Sequence, residues 1–221
     1  MTFDVNLGND IVLTYGTPVL RTMVPNHVAL NAGLKRILLE REAAQPELRT
    51  GGRSHSNQGG WRSNADLLEW PGAEIGVLRN EIARAINRIM QLAVGNDPTH
   101  AVRPDLSLVA WANINRNGDY NVMHNHAGNH WSGAYYVSLG EPDPERAFNG
   151  FFEFYDPRPA AGMVPVPGFN FGLTLPVAPE EGMMMVFPSW HLHAVHPFFG
   201  EGERISISFN ARIERLDHAT G

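Results

Sequence analysis

Cysteine is absent from the 221 residues of this sequence. Disulfide bonds, thiolate metal ligands and cysteine nucleophiles are therefore excluded, so that only histidine, aspartate or glutamate could hold a metal ion. Basic residues are scarce as well, because 17 lysines and arginines stand against 23 aspartates and glutamates and give a formal net charge of -6. Since binding to phosphates requires a basic surface, we expect no nucleic acid among the partners of this protein.

Long apolar runs are also missing, because no uncharged stretch approaches the ~20 residues that a membrane-spanning helix requires. The segment 1–16 contains Asp4 and Asp10 but neither lysine nor arginine, which is unlike a secretory signal peptide. Hydrophobic residues make up 43% of the chain and charged residues 18%, a composition that is typical of a globular protein with a sizeable core. We therefore expect a single-domain cytoplasmic protein that has no membrane partner.

Two segments in the first half of the chain have helical periodicity. The first begins at Asn26, a residue that can cap a helix, and its apolar residues recur every three or four positions until Gln45-Pro46. It should end there, because the residue before a proline avoids helical geometry. The second covers residues 73–94 and carries a single apolar stripe, which predicts a helix packed on a core.

The helical period disappears after Pro104, where short β-rich runs begin that are separated by Gly, Pro, Asn and Asp. We predict a short strand at residues 12–15 and further strands at 106–115, 131–138, 150–155, 171–175, 183–187, 193–197 and 204–213. Helices followed by strands in this order predict an α+β fold, a β-sandwich or barrel with helices packed on one outer face. The helix-rich support would cover residues 1–104 and the β core residues 105–214 of one domain, 1–221.

The last predicted strand, residues 204–213, alternates between apolar and polar side chains. Because side chains alternate across a strand, its isoleucines should pack outward on the helices. Its other face carries Arg204, Ser206 and Ser208, and it should line an internal cavity. An arginine is costly to bury without a partner, and its natural partner is an anion. The pattern therefore predicts an anionic ligand inside the β core.

Histidines are concentrated in the β-rich half, where six of the ten lie between residues 124 and 196. His124 and His126 are two residues apart, so on an extended segment both imidazoles could reach one metal ion. A third ligand from a distant strand would leave positions open for substrate and oxygen, as in non-haem iron enzymes. His191 and His193 form a second pair with the same spacing. Histidines at this spacing are also common in surface or structural positions, so a metal site and a structural role both remain open here.

Five motifs occur in a fixed order that resembles a known family. They are His124-x-His126, WSGAYYV at 131–137, FFEFYDP at 151–157, FPSWHLHAVHP at 187–197 and ERISISFN at 203–210. In this order they resemble the 2-oxoglutarate/Fe(II) oxygenase family that is related to the prolyl-4-hydroxylases. Residues 16–18 and NQGGWRS at 57–63 are similar to the N-terminal half of the same family. The resemblance implies a double-stranded β-helix, or jelly roll, as the β core.

The resemblance implies an Fe(II) site with ligands at three positions. His124 matches the first ligand, and His193 matches the distal ligand in its sequence context better than His191 does. Position 126 holds histidine where the wider superfamily has a carboxylate. We therefore expect the three histidines His124, His126 and His193 to bind the metal. A site of this kind could differ in redox tuning and in affinity for 2-oxoglutarate.

The resemblance also implies a binding site for 2-oxoglutarate. Arg204 matches the arginine that pairs with the distal carboxylate, and its rigid fork suits that bidentate contact. Ser206 would add a hydrogen bond from the same strand face, and Tyr136 would contact the same carboxylate through its hydroxyl group. Asp143 and Glu153 remain alternative second metal ligands, although neither lies at the usual spacing.

The activity that the resemblance implies is that of an Fe(II)/2-oxoglutarate-dependent dioxygenase. Such an enzyme would use O2 to hydroxylate a small-molecule or peptide substrate that the sequence does not identify. One alternative is a cupin-like three-histidine metalloenzyme that does not use 2-oxoglutarate, and another is a non-catalytic metal-binding jelly roll. An exposed jelly-roll edge strand would also allow two chains to pair as a homodimer.

Overall fold

The computed structural model describes residues 16–49, 56–94, 102–169 and 171–218, and the strand predicted at 12–15 lies outside them. Two α-helices precede the β core, α1 (His27–Ala44) and α2 (Ala73–Met90). Short 3-10 helices occupy Pro46–Leu48, Leu67–Glu69 and Gln91–Val94. The strands are β1 (Leu20–Met23), β2 (Asn57–Gln58), β3 (Trp61–Arg62), β4 (Val102–Asn115), β5 (Tyr120–His124), β6 (Trp131–Pro142), β7 (Phe152–Tyr155), β8 (Thr174–Val177), β9 (Met183–Pro188), β10 (His193–Val195) and β11 (Gly200–His218).

The strands form two antiparallel sheets. The six-stranded sheet has the order β1-β9-β6-β11-β4-β3, and the five-stranded sheet has the order β2-β5-β10-β7-β8. In the β core, strands β4 to β7 alternate between the sheets and so do β8 to β11, while β7 and β8 pair within the five-stranded sheet. An apolar cluster that includes Phe152, Phe154 and Phe187 fills part of the space between the sheets. This arrangement is the double-stranded β-helix that the family resemblance implies, and the predicted fold class is confirmed.

The two helices cover the outer face of the six-stranded sheet. Leu34 of α1 and Ile82 of α2 belong to the same buried cluster as Ile205, Ile207 and Phe209 of β11. The predicted direction of the isoleucine face is therefore correct. Because this face is packed on helices, the alternating residues of β11 must point into the space between the two sheets.

The predicted helices agree with the structure within a few residues. Helix α1 ends at Ala44, one residue before Gln45, as the following proline predicts. Asn26 precedes it with a left-handed backbone (φ 54°), but its side chain makes no capping hydrogen bond. The stripe over residues 73–94 divides into α2 and a closing 3-10 turn.

Four strands were not predicted, and three of them come from the first half of the chain. β1 pairs with β9, β2 with β5, and β3 with β4. The segment before residue 104 therefore contributes strands to both sheets as well as helices, and the predicted division into a support and a core stays a prediction. Within the described ranges, no helix is long and apolar enough to cross a membrane.

Truncating the helix-facing side of β11 should destabilise the fold strongly. We expect Ile207→Ala, at a fully buried position, to lower the free energy of unfolding by about 2–5 kcal/mol, because the helices cannot close the cavity completely. Val109→Ala on β4, where the side chain is 40% exposed, is the control and should cost less than about 1 kcal/mol. Urea unfolding measures both, and equal losses would contradict the packing described here.

Candidate functional site

Three histidines meet at one end of the five-stranded sheet. His124 is the last residue of β5 and His193 the first of β10, and the two are direct partners across the antiparallel pair. His126 lies two residues beyond β5, where its backbone N–H donates to the carbonyl of Ser189 at 2.9 Å. One nitrogen from each of the three rings lies within 4.8 Å of the other two. These side chains could therefore share a single metal ion.

Hydrogen bonds orient two of the three imidazole rings. Nδ1 of His124 lies 2.7 Å from the carbonyl of Val122, and Nδ1 of His193 lies 2.9 Å from the carbonyl of His191. Because a carbonyl can only accept, each Nδ1 carries the hydrogen and each Nε2 keeps its lone pair for a metal. The backbone thus selects the tautomer that a ligand needs.

The cluster is partly withdrawn from water and packed against aromatic rings. Burial, together with a smaller effect of the neighbouring histidines, lowers the pKa of His193 to about 2 and the pKa of His126 to about 4. Burial also lowers the pKa of His124. Phe152 stacks on His193 with ring centroids 5.0 Å apart, and Phe187 meets the same ring edge-on. The imidazoles are therefore held neutral, which is the form that coordinates metals.

Arg204 lies on β11 and is only 2% exposed. Its Nε donates to the carbonyl of Gly150 at 3.1 Å, but its Nη2 has no hydrogen-bond partner. In the part of the chain that the structure describes, no carboxylate lies within ion-pair distance of it. Burial lowers the pKa of this guanidinium. An unpaired cation in this position is costly, which points to an anionic ligand.

Tyr136 of β6 lies beside this guanidinium, whose Cζ is 5.5 Å from the centroid of the phenol ring. The tyrosine is 1% exposed, and its hydroxyl group has no hydrogen-bond partner among the described residues. Burial raises the pKa of Tyr136 to about 12, although the charge of Arg204 acts in the opposite direction. The hydroxyl therefore stays protonated and can donate a hydrogen bond to an anion.

Gly150 permits the close approach of Arg204. Its backbone has a positive φ of 66°, and a Cβ atom at this position would lie 3.1 Å from Nε and 3.2 Å from Cδ of the arginine. A side chain here would meet both a strained backbone and the guanidinium. The glycine therefore helps to determine where Arg204 points.

A single pocket between the two sheets contains the predicted residues from both sites. Its wall includes six of them, namely His124, His126, His193, Tyr136, Arg204 and Ser206. The rest of the wall consists of Ser56, Trp111, Asn113, Asn121, Gly133, Ala134, Phe152, Phe187, Val195 and Ser208. The histidines belong to the five-stranded side, whereas the tyrosine, arginine and serine belong to the facing sheet. The structure thus brings together every residue that the sequence singled out for metal and 2-oxoglutarate.

The alternative candidates lie elsewhere. His191 stacks on Phe154 with ring centroids 4.5 Å apart and is not part of the three-histidine group. Glu153 makes a contact of 3.1 Å between its Oε2 and Nε2 of His196. Asp143 forms an ion pair with a neighbouring arginine at 3.5 Å. Within the described ranges, neither carboxylate joins the histidine group.

One detail was not expected from the sequence, because His126 lies beyond the strand that carries His124. It follows the end of β5, just before a turn, and its position depends on the backbone bond to Ser189. Sequence reasoning also missed Trp111 and Asn113 of β4 as parts of the pocket wall. The sequence does contain a signal for these two residues. They alternate with the buried Ala110, Ala112 and Ile114, which pack toward the helices.

Residues 109–210 match the sequence model of a family described as "Putative 2OG-Fe(II) oxygenase". The match includes all six site residues and begins inside β4. None of the curated proteins matches the sequence of this chain.

Solved structures resemble the whole fold at low sequence identity. A Pseudomonas putida prolyl-4-hydroxylase is 16% identical, with a TM-score of 0.57 over 91% of this chain and 95% of its own. A Trichoplax adhaerens prolyl hydroxylase, solved with a hypoxia inducible factor peptide, is 11% identical, with a TM-score of 0.57 over 91% and 85%. The epimerase SnoN, in complex with Fe3+, alpha ketoglutarate and nogalamycin RO, is 13% identical, with a TM-score of 0.55 over 91% and 81%.

These likenesses show the fold, and the family match covers the strands that carry the pocket. The resemblance read from the sequence is thus confirmed: residues 109–210 match the 2OG-Fe(II) oxygenase family, and the chain has the prolyl-4-hydroxylase-like jelly roll.

Proposed function

We propose that this protein is an Fe(II)- and 2-oxoglutarate-dependent dioxygenase that hydroxylates a small-molecule or peptide substrate with O2. The observation that carries the proposal is the buried, unpaired guanidinium of Arg204 in the same pocket as the three-histidine group. A metal-binding face and an anion-binding face opposite each other suit a ligand that chelates a metal at one end and carries a carboxylate at the other. SnoN, which shares the fold, was solved with Fe3+ and alpha ketoglutarate.

The three histidines fit a divalent transition metal. Each ring offers one nitrogen to a common centre, and two of the rings have their tautomer fixed by backbone carbonyls. Imidazole suits iron, and it also suits zinc, copper and nickel. When bound, iron would supply the oxidative chemistry with O2 that amino-acid side chains cannot perform.

The replacement of a carboxylate by His126 increases the positive charge of the site. Three neutral imidazoles leave the full charge of a bound divalent ion in place, whereas a carboxylate ligand would cancel part of it. In a buried pocket this charge is weakly screened and attracts anions strongly. A doubly charged keto acid is therefore a suitable ligand for a site of this composition.

The far end of the keto acid would be bound by the six-stranded sheet. Nη2 of Arg204 and the hydroxyl group of Tyr136 are both unpartnered donors, and charge-assisted hydrogen bonds to a carboxylate are among the strongest in proteins. Ser206, the register neighbour of Tyr136, would add a third donor. The burial of all three side chains keeps competing water away from the carboxylate.

The absence of a carboxylate from the histidine group favours one alternative, a cupin-like three-histidine metalloenzyme that does not use 2-oxoglutarate. In that enzyme the substrate would bind the metal directly, and Arg204 would act on the substrate. A non-catalytic metal-binding jelly roll would hold the ion without turnover. Binding of 2-oxoglutarate distinguishes the proposed dioxygenase from both.

Anaerobic titration tests the proposal directly. Protein loaded with Fe(II) should develop a weak visible charge-transfer band when 2-oxoglutarate is added, and aerobic incubation with the right substrate should yield succinate. Gly150→Ala should weaken 2-oxoglutarate binding about tenfold, because its Cβ would push the Arg204 guanidinium away from its position. The matched control is Gly168→Ala, where φ is also positive (87°) but no atom lies within 4 Å.

The control variant should bind 2-oxoglutarate as the unmodified protein does. If the iron-loaded protein develops no band, 2-oxoglutarate is not a ligand and the cupin-like alternative replaces the proposal. Equal weakening by the two glycine variants would mean that the position of Arg204 is unimportant for binding.

Removal of one histidine should abolish metal binding without unfolding the protein. We expect His124→Ala to bind Fe(II) at least about 100-fold more weakly than the unmodified protein, because only two ligands remain. His196→Ala, whose ring contacts Glu153 outside the cluster, should keep its iron. Metal content after anaerobic loading and desalting measures the effect, and circular dichroism checks the fold. Unfolding of His124→Ala at room temperature would show that the histidines are structural.

Replacement of the unpaired guanidinium should stabilise the ligand-free protein. We expect Arg204→Met to raise the free energy of unfolding by about 1 kcal/mol or more, because an apolar side chain of similar length avoids the desolvation of an uncompensated charge. Arg116→Met is the control, since it breaks a two-point contact with Glu42 and should lower the free energy of unfolding by up to about 1 kcal/mol.

Urea unfolding of metal-free protein compares the two arginine variants. Greater destabilisation by Arg204→Met than by Arg116→Met would show that Arg204 serves the fold rather than a ligand.

A further inference from the structure

A row of polar side chains crosses the inner face of the six-stranded sheet and ends at Arg62. Register partners define the row: Tyr136 of β6 lies opposite Ser206 of β11, Ser206 opposite Asn113 of β4, and Asn113 opposite Arg62 of β3. Trp61, the neighbour of Arg62, is fully buried in the helix-side core. Because adjacent residues of a strand point to opposite faces, Arg62 lies on the pocket side.

The guanidinium of Arg62 is connected to the histidine cluster through Trp111. Its Cζ lies 4.8 Å from the indole centroid, and the same indole ring lies 5.6 Å from the ring of His126. The charge of Arg62 contributes to the lowered pKa values of His124 and His126, after the larger effect of burial. Arg62 is therefore a neighbour of the candidate metal centre, although it is not a ligand.

Unlike Arg49 and Arg116, Arg62 has no acidic partner among the described residues. Arg49 pairs with Asp119 at 3.1 Å and Arg116 with Glu42 at 2.6 Å. For Arg62, the contact given by the described residues is a long hydrogen bond of 3.4 Å to the carbonyl of Ser63. Arg62 is partly buried, burial lowers the pKa of its guanidinium, and no carboxylate of the described ranges forms an ion pair with it.

Asn113, the next residue in the row, has unused hydrogen-bonding capacity. It is 4% exposed and lines the pocket. Its Nδ2 donates to the hydroxyl group of Ser208 at 3.1 Å, while its Oδ1 has no partner. An amide oxygen accepts hydrogen bonds, so a buried one without a partner among the described residues indicates an N–H or O–H group on a ligand at this end of the row.

We propose that Arg62 binds a carboxylate group of the primary substrate, so that the enzyme acts on small carboxylic acids. This assignment rests on the proposed function, because it takes Arg204 as the binding residue for 2-oxoglutarate. A guanidinium stacked on an indole face keeps its edge N–H groups free, and that edge matches the two oxygens of a carboxylate.

The two arginines are far enough apart to hold two acids at once. Arg204 and Arg62 lie two strands apart in the sheet order, and their β4 register partners are Asn115 and Asn113. This corresponds to about 10 Å across the strands and about 7 Å along them. A substrate carboxylate on Arg62 and the distal carboxylate of 2-oxoglutarate on Arg204 would therefore not compete.

Binding of monocarboxylates to metal-free protein tests the proposal. The probes are acetate, propionate and phenylacetate, each compared with its amide by ligand-observed NMR. Metal-free protein is used so that no acid can coordinate an ion, and Arg204→Met serves as a background in which the other cation is absent. We expect acids to bind at least about tenfold more tightly than their amides, in the unmodified protein and in Arg204→Met alike.

In the Arg204→Met background, Arg62→Gln should weaken the binding of the acids at least about tenfold and leave thermal unfolding unchanged. Arg62→Lys keeps the charge but loses the planar guanidinium, so its affinity for the acids should lie between those of the protein with Arg62 and of Arg62→Gln. Arg212→Gln on β11, at an exposed position, is the matched control and should bind as the unmodified protein does.

Three results would overturn the proposal: no acid binds, acids and amides bind equally, or binding is lost in Arg204→Met but kept in Arg62→Gln. The proposed dioxygenase function is tested separately, by the anaerobic titration with 2-oxoglutarate. The Fe(II)-loaded Arg62→Gln protein should still develop the charge-transfer band with 2-oxoglutarate, because Arg204 is retained. Absence of the charge-transfer band would contradict the proposed dioxygenase function. The NMR result would still show whether Arg62 binds acids.

Discussion

The buried guanidinium of Arg204 is the constraint on which the site depends. A charge that is 2% exposed and has no carboxylate beside it among the described residues opposes folding unless a ligand compensates it. The surroundings maintain this situation, because Gly150 leaves room for the side chain and accepts one of its hydrogen bonds. Tyr136 adds a second unpartnered donor in place of an acid. The proposed anionic ligand would therefore supply the charge that the described residues do not provide.

The jelly roll places the two halves of the chemistry on facing sheets. The antiparallel pairing of β5 with β10 puts His124 opposite His193 in the five-stranded sheet. The six-stranded sheet presents Arg204 and Tyr136 from two adjacent strands, β11 and β6. Its outer face is packed on the helices, so its polar inner face is free to serve a ligand. A molecule between the sheets can contact both faces, which neither sheet could achieve alone.

Hydrophobic periodicity predicted the direction of side chains on long strands with a clear apolar face. It failed on strands whose position depends on pairing with a distant strand. The alternation of β11 correctly placed Arg204 inward, because a long strand packed on helices has an unambiguous apolar face. β5 was missed because its pattern is reversed: Asn121 is buried toward the pocket while Val122 and Met123 are exposed. Arg62 was missed because a two-residue strand has no periodicity, and its direction follows only from pairing with β4. Spacing singled out His124 and His126, whereas the choice of His193 over His191 came from the family resemblance.

Charge balance connects the histidine cluster with both arginines. The chain is acidic overall, with a formal net charge of -6, yet Arg204 in the pocket wall and Arg62 behind Trp111 have no acidic partner among the described residues, and the three-histidine group holds no carboxylate there. A bound divalent ion would increase this imbalance, and each carboxylate that enters would reduce it. Because electrostatic interactions are strong in a buried site, the first acid makes the pocket less attractive to the second. Binding of 2-oxoglutarate and of an acidic substrate should therefore be linked through charge even if the two ligands never touch.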